Sequence, residues 1–206
     1  IPVQAGLGGG SSDAAALLLA ARAGHFGALP ERDDLAIARS LGSDVPFFLA
    51  EGAALVEGTG ERVTPAGAAP TWATLVVKPP ISISTAEAFR LLDERARPQR
   101  PRNESLGLRA LEALQRADFQ ELTQLLDNDF HADALARHVE VARAAAAIEA
   151  AGPSRALLAG SGSSLFALYE RLEDAAAAAE RIALPPEYRR YVAAFRSELA
   201  WRGGSA

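Results

Sequence analysis

The chain has 206 residues, 49% of them hydrophobic, and a net charge of −5, enough for one large or two modest domains with a buried core. The acidic balance argues against a general nucleic-acid binder, and the absence of cysteine excludes disulfides and thiolate-ligated zinc or iron–sulfur centres. These residues show no apolar run long enough to span a bilayer and no secretory leader pattern, so no membrane association and a cytoplasmic address are expected.

Residues 5–13 read AGLGGGSSD and run into the helix-forming stretch Ala14–Ala21. Serine preference at caps and glycine preference at stops predict a helix over Ser12–Gly24. A second helix is expected over Glu31–Leu41, ended by Gly42, followed by a turn and apolar segment over Ser43–Ala50. Ala53–Glu57 and Glu61–Thr64 read as paired strands joined through Gly58–Gly60, and Trp72–Lys78 reads as a buried strand. Ser84 with Glu87 forms a capping-box signature for a helix Thr85–Arg95, and Arg97–Asn103 reads as a loop. Helices are expected at Glu104–Ala117, at Phe119–Leu126 behind an Asp118 cap, and at Ala132–Ala151 up to Gly152–Pro153. Strands Arg155–Ala159 and Leu165–Tyr169 flank a glycine–serine loop, then a helix Asp174–Ala183 and a strand Tyr188–Phe195 close the pattern. That order predicts a small α+β domain, with a boundary between residues 60 and 80.

Three segments carry chemistry. The first is the glycine run at 6–10, which lets main-chain N–H groups approach a ligand closely, ahead of a helix whose unpaired N–H groups and dipole favour an anion such as phosphate. It is neither a Walker A loop, since Ser11 follows Gly10 where lysine is required, nor a dinucleotide fingerprint. A plain turn capped by Ser12 is the competing reading. Ser11 and Ser12 offer hydroxyls to phosphate or metal, and Asp13 could serve the helix dipole or a magnesium ion. The second is LGSDVPFF at 41–48, where flanking apolar residues predict Asp44 at the edge of a core, the setting of a general base; a turn aspartate bonding its own backbone is the alternative. The third is LAGSGSSLF at 158–166, either a connection between strands or a second anion-facing loop. His131 and His138, seven apart on the predicted helix, make a weak metal pair, His25 reads as a loop residue, and the Arg95–Arg102 cluster as a solvated loop.

IPVQAGLGGGSSDAAA at 1–16, LGSDVPFF at 41–48 and AGSGSSLFAL at 159–168 together resemble the GHMP kinase superfamily, named for galactokinase, homoserine kinase, mevalonate kinase and phosphomevalonate kinase. VKPPISISTAEAF at 77–89 and NDF at 128–130 echo it more loosely. Within the superfamily the likeness is greatest to kinases of the non-mevalonate isoprenoid pathway. The resemblance implies an α+β, two-domain architecture: a portion of a domain related to ribosomal protein S5 domain 2 over residues 1–70, and a ferredoxin-like domain over 71–206, with the active site in the cleft between them. It implies that Pro2, Val3, Gln4, Ala5, Gly6, Leu7, Gly8, Gly9, Gly10, Ser11 and Ser12 form the ATP-binding loop, that Asp44 is the catalytic base, and that Gly160–Ser164 support the nucleotide loop. The cofactors implied are ATP and Mg2+, and the acceptor the 2-hydroxyl of a cytidine diphosphate-linked methylerythritol. Such kinases carry a catalytic lysine and cytidine-binding groups ahead of this loop, and Lys78, the only lysine, does not match that place. The chain is therefore expected to be a fragment that transfers nothing alone. Two other readings stand beside this one: a superfamily kinase acting on mevalonate or homoserine, and a non-catalytic nucleotide-binding module.

Overall fold

The computed structural model describes residues 5–27, 33–50, 52–94, 104–152 and 154–195. The expected loop 97–103 and arginine cluster 95–102, the positions Pro2, Val3 and Gln4, the first residues of the Glu31–Leu41 helix and Pro153 lie outside them. In chain order the elements are α1 (Gly9–Arg22), α2 (Asp34–Leu41), a 3₁₀ turn Phe47–Leu49, β1 (Ala53–Glu57), β2 (Arg62–Gly67), β3 (Ala73–Lys78), α3 (Thr85–Glu94), α4 (Glu104–Gln115), α5 (Phe119–Leu125), α6 (His131–Arg137), α7 (Val139–Ala151), β4 (Leu157–Leu158), β5 (Leu165–Tyr169), α8 (Leu172–Arg181) and β6 (Arg189–Ala194). The described residues divide into two units, those within Gly8–Pro70, and residues 5–7 with those within Thr71–Phe195. No helix among the described residues is long and apolar enough to cross a membrane.

In the Gly8–Pro70 unit, α1 and α2 pack on the 3₁₀ turn through a small core of Ala15, Ala38 and Val45, flanked by Leu18, Phe48 and Leu49. Helix α1 ends as expected at a glycine: Gly24 takes φ +83°, and the amides of Gly24 and His25 donate to the carbonyls of Ala21 and Ala20. Asp33 caps α2 by accepting from the amides of Leu35 and Ala36 at 3.0 Å. Strands β1 and β2 form the expected antiparallel hairpin.

The other unit is built on a four-stranded antiparallel sheet in the order β4–β5–β3–β6. Its strands and crossover helices follow β–α–β–β–α–β order, the ferredoxin-like split arrangement. Alternation along the strands sorts two faces. Ala73, Leu75 and Val77 of β3 join Leu165, Ala167 and Tyr169 of β5 in a core completed by Val141, Ala144 and Ile148 of α7 and Ala175 and Ala178 of α8. Phe166 and Leu168 turn to the opposite face, with Trp72 and the apolar side of α4 and α5. Asp118 caps α5 as expected, its carboxylate accepting from the Glu121 amide at 2.9 Å. At α3 the Glu87 amide donates to Ser84 Oγ at 3.4 Å, one half of the expected box.

Two expectations change. The single helix Ala132–Ala151 is two, α6 and α7, broken at His138, whose backbone is extended (φ −123°, ψ 103°). Alanine-rich propensity is a weak constraint against tertiary packing, and the two halves serve different partners, α6 the edge strand β4 and α7 the strands β3 and β5. The strand Arg155–Ala159 shrinks to Leu157–Leu158, because side chains rather than a further strand meet its outer side.

Lys78 closes β3 from inside the core, only 8% exposed. Its ammonium donates to the Pro79 carbonyl at 2.8 Å and to the Ile81 carbonyl. Burial lowers its pKa, with the nearby Arg189 charge adding to the effect. These bonds make it a structural lysine. Lys78→Met should lower the unfolding free energy by about 1–3 kcal/mol, since the buried Pro79 carbonyl loses its donor. Urea denaturation of the variant measures this, and an unchanged midpoint would show that burying the charge costs as much as its bonds return.

Candidate functional site

Helix α1 begins three residues before the expected Ser12 cap. Its cap is Gly8, in the left-handed region at φ +65°, and no side chain caps its first amides. The first amide inside the helix ladder is that of Ser12, donating to the Gly8 carbonyl at 2.8 Å. Gly9, Gly10 and Ser11 therefore present N–H groups with no intrahelical acceptor. Ser12 is no cap; its hydroxyl donates back to the Gly9 carbonyl at 2.8 Å. Helices α2, α3, α5, α6, α7 and α8 each carry an acidic residue in the first turn, and α1 carries none. Asp13 lies beyond that turn and is exposed. The positive end of this helix has neither a capping side chain nor an acidic residue in its first turn.

The surroundings of the glycines differ in kind. A Cβ at Gly8 would lie 2.9 Å from the Phe48 ring, so this glycine is required by packing. A Cβ at Gly10 would meet nothing within 4 Å, and Gly10 is exposed. No protein atom demands glycine there. The open space over its amide is where an anion could sit.

Asp44 belongs to the same unit. Its turn, Gly42–Pro46, is held by Val45, buried to 1% against the α1–α2 core, and by Gly60, where a Cβ would overlap the Ser43 carbonyl. Arg39 donates to the Glu61 carbonyl at 3.1 Å, tying α2 to the hairpin beside the turn. The expectation of a partly buried carboxylate with a fixed partner is corrected. Asp44 is exposed and makes no hydrogen bond to a described residue. Val45 and Pro46 take the inward positions of the tight turn, which swings the preceding carboxylate outward.

In the other unit the Ala159–Ser164 loop meets Gly6. At Gly6, with φ +71°, a Cβ would overlap the Ala159 carbonyl oxygen and lie 2.9 Å from that of Gly162. The Ser164 amide donates to the Ala5 carbonyl at 3.2 Å. Ser163 Oγ donates to the Ile81 carbonyl at 2.6 Å, the same oxygen that Lys78 serves. Ser164 Oγ is fully buried and has no hydrogen-bond partner among the described residues. So Ala5 and Gly6 run against the third motif, while Gly8, Gly9, Gly10, Ser11 and Ser12 belong to the other unit.

His131 and His138 form no metal centre: no group of three or more metal-ligating side chains occurs among the described residues. His131 accepts instead from the Leu158 amide at Nδ1, 3.1 Å away. An aromatic that sequence reasoning missed is Phe89, 53% exposed and set edge to face on Phe130 at 5.0 Å. Ile83, Ala88, Leu91 and Phe130 line a neighbouring cavity of about 150 Å³ rimmed by Glu87 and Arg137. The signal available was an aromatic within the predicted helix Thr85–Arg95.

Residues 1–52 match the family GHMP kinases N terminal domain, and residues 110–185 match GHMP kinases C terminal. A 4-diphosphocytidyl-2-C-methyl-D-erythritol kinase of Lachnoclostridium phytofermentans is 35% identical over 170 residues, covering 82% of this chain and 57% of the relative. One from Solidesulfovibrio magneticus is 41% identical over 179 residues, covering 85% and 60%. The chain thus spans roughly three fifths of the curated relatives it matches. A crystal structure of 4-(cytidine 5'-diphospho)-2C-methyl-D-erythritol kinase superposes with a TM-score of 0.74 at 34% identity, over 94% of this chain and 67% of that one. Homoserine kinase from Cytophaga hutchinsonii, at 17% identity and a TM-score of 0.71 over 96% and 68%, shares the fold.

Burial lowers the His131 pKa; Arg155 adds to the effect, and Glu149 and Asp127 oppose it. A folded-state value below the unfolded one means that acidification protonates the unfolded chain first, so stability falls as pH drops through the ordinary histidine range. Between about pH 7.5 and 5.5, the wild-type Tm should fall more than that of His131→Gln, whose carboxamide oxygen can still accept from Leu158. Parallel melting curves for the two would expose an equal slope, which would remove His131 from the acid response.

Proposed function

The chain belongs to the GHMP kinase family, and from that premise we propose that its protein is an ATP-dependent kinase phosphorylating the 2-hydroxyl of 4-diphosphocytidyl-2-C-methyl-D-erythritol. The observation that carries the reading is the bare start of α1: three amides without intrahelical acceptors, no capping side chain, no acid in the first turn, and open space above Gly10. The substrate follows from the relatives' names and from the length of chain over which they match. The same reading puts the protein in the cytoplasm, acting on a soluble nucleotide-linked substrate.

In this mechanism the amides of Gly9, Gly10 and Ser11 donate to phosphate oxygens of ATP, and the helix dipole offsets part of their charge. Ser11, Ser12 and the Asp13 carboxylate are the oxygen donors this segment would offer a magnesium ion, which would supply charge neutralisation for the transferring phosphoryl group. Phosphoryl transfer needs positioning and charge stabilisation more than covalent chemistry from the protein. Asp44 takes the proton of the acceptor hydroxyl while that oxygen bonds to the γ-phosphorus and the bond to the bridging oxygen breaks, releasing ADP. Its exposed place at the tip of a rigid turn leaves its oxygens free for the substrate.

Two outcomes follow for the active enzyme. Gly10→Ala should leave the melting temperature unchanged or raised, because alanine favours a helix by about 1 kcal/mol and meets no protein atom. The same change should weaken ATP binding at least about tenfold by blocking the approach to the amide. Calorimetric titration with a non-hydrolysable ATP analogue tests this, and undiminished affinity would remove the α1 start as the phosphate site. Asp44→Asn should lower kcat by about 10²–10⁴-fold with KM for ATP little changed; near-normal turnover would take Asp44 out of the proton transfer.

A further inference from the structure

Asn128 lies on the connection between α5 and α6, far along the chain from the glycine run, and its amide nitrogen reaches the main chain at the start of the third motif. Its Nδ2 donates to the Leu158 carbonyl at 2.8 Å and to the Gly160 carbonyl at 2.8 Å. Its Oδ1 accepts from the Phe130 amide at 2.8 Å. Turning the carboxamide over would set an oxygen against two carbonyls and an NH2 group against an N–H. The geometry therefore allows one orientation, with both amide hydrogens engaged. Three residues on, His131 Nδ1 accepts from the Leu158 amide. Leu158 is thereby held on its outer side through both main-chain groups.

What Asn128 holds is the entrance to the third motif. Just beyond Leu158, the Ala159 amide pairs with the Ser164 carbonyl and the Gly162 amide with the Ala159 carbonyl, both at 2.9 Å. Gly160 and Gly162 both take positive φ, at +53° and +91°. A loop in that conformation has many alternatives and needs restraint from outside. On one side the restraint is Ser163 on the Ile81 carbonyl; on the other it is Asn128. Between them, the carbonyls of Ala159 and Gly162 face Gly6 with no room for a Cβ. Gly6 precedes by two residues the glycine that caps α1.

We propose that Asn128 is a positioning residue for nucleotide binding: by clamping the Leu158 and Gly160 carbonyls it sets the surface on which Gly6 lies, two residues ahead in sequence of the glycine that caps α1. This rests on the reading of that start as the phosphate site. Asn128 touches no reacting group and acts through backbone alone. Aspartate has the same shape but offers oxygen where two donors are needed, which turns both attractions into repulsions. Alanine removes the clamp without repulsion.

The test uses the active enzyme with Asn128→Asp, Asn128→Ala, and Leu122→Ala as a control for general destabilisation in the separate core beneath α4 and α5. Asn128→Asp should raise KM for ATP and the dissociation constant of a magnesium-bound, non-hydrolysable ATP analogue by about tenfold or more. The acceptor KM and kcat at saturating ATP should stay within about threefold. Leu122→Ala should lower the Tm without moving the nucleotide constants. Amide hydrogen exchange on Asn128→Ala should quicken at Ala159–Ser164 and Gly6 while β3 and β5 stay protected. Nucleotide constants in Asn128→Asp equal to wild type, or shifted only as far as in Leu122→Ala, would overturn the proposal. So would unchanged exchange at the loop, which decides the matter even if Asn128→Asp does not fold. Failure of the wild-type enzyme to bind the analogue would instead strike the phosphate reading, leaving the exchange result to judge Asn128.

Discussion

Main chain packed directly on main chain is the constraint on which the third motif and its surroundings depend. At Gly6 the carbonyls of Ala159 and Gly162 come so close that only a hydrogen can occupy the side-chain position. Such an approach is useful only if both partners are held in place, because the loop contains two glycines in conformations that other residues avoid. The supports are specific: the β4–β5 pairing, the Asn128 clamp, and Lys78 and Ser163 converging on one carbonyl oxygen. Lys78 thus spends a buried charge on scaffolding, in a chain with no other lysine.

Electrostatics divides the helices in a similar way. Asp33 and Asp118 cap α2 and α5, and acids occupy the first turns of α3, α6, α7 and α8. Asp33 and Asp118 satisfy first-turn donors, and every one of these acids offsets the partial positive charge at its helix start. Only α1, among the helices whose first turn is described, leaves both unmet, and it does so behind a run of glycines that keeps side chains away from the amides. Local stability is given up where an anionic ligand can restore it.

The legibility of these features in the sequence follows their range. The glycine run, the β1–β2 hairpin and the Asp118 cap were readable because local chemistry alone determines them. The start of α1 was misplaced because Ser12 has the right side chain for a cap, while Gly8 wins through its positive φ and the Phe48 ring packed on it. Asp44 was expected at a core edge because its neighbours are apolar; in a tight turn those neighbours take the interior and expel it. The break at His138 and the role of Asn128 were invisible for another reason. Both depend on β4, some twenty to thirty positions away in sequence, and no periodicity reports such a contact.

Strand β4 is only two residues long and forms one border of its sheet. A border strand normally exposes alternate N–H and C=O groups that a strand from another molecule can adopt, the route to sheet growth and fibres. At Leu158 both of those groups are already occupied, the N–H by an imidazole and the C=O by a carboxamide. The pair imitates a neighbouring strand without being one. The border is therefore closed to recruitment of further chains by the same two side chains that shape the loop beside it.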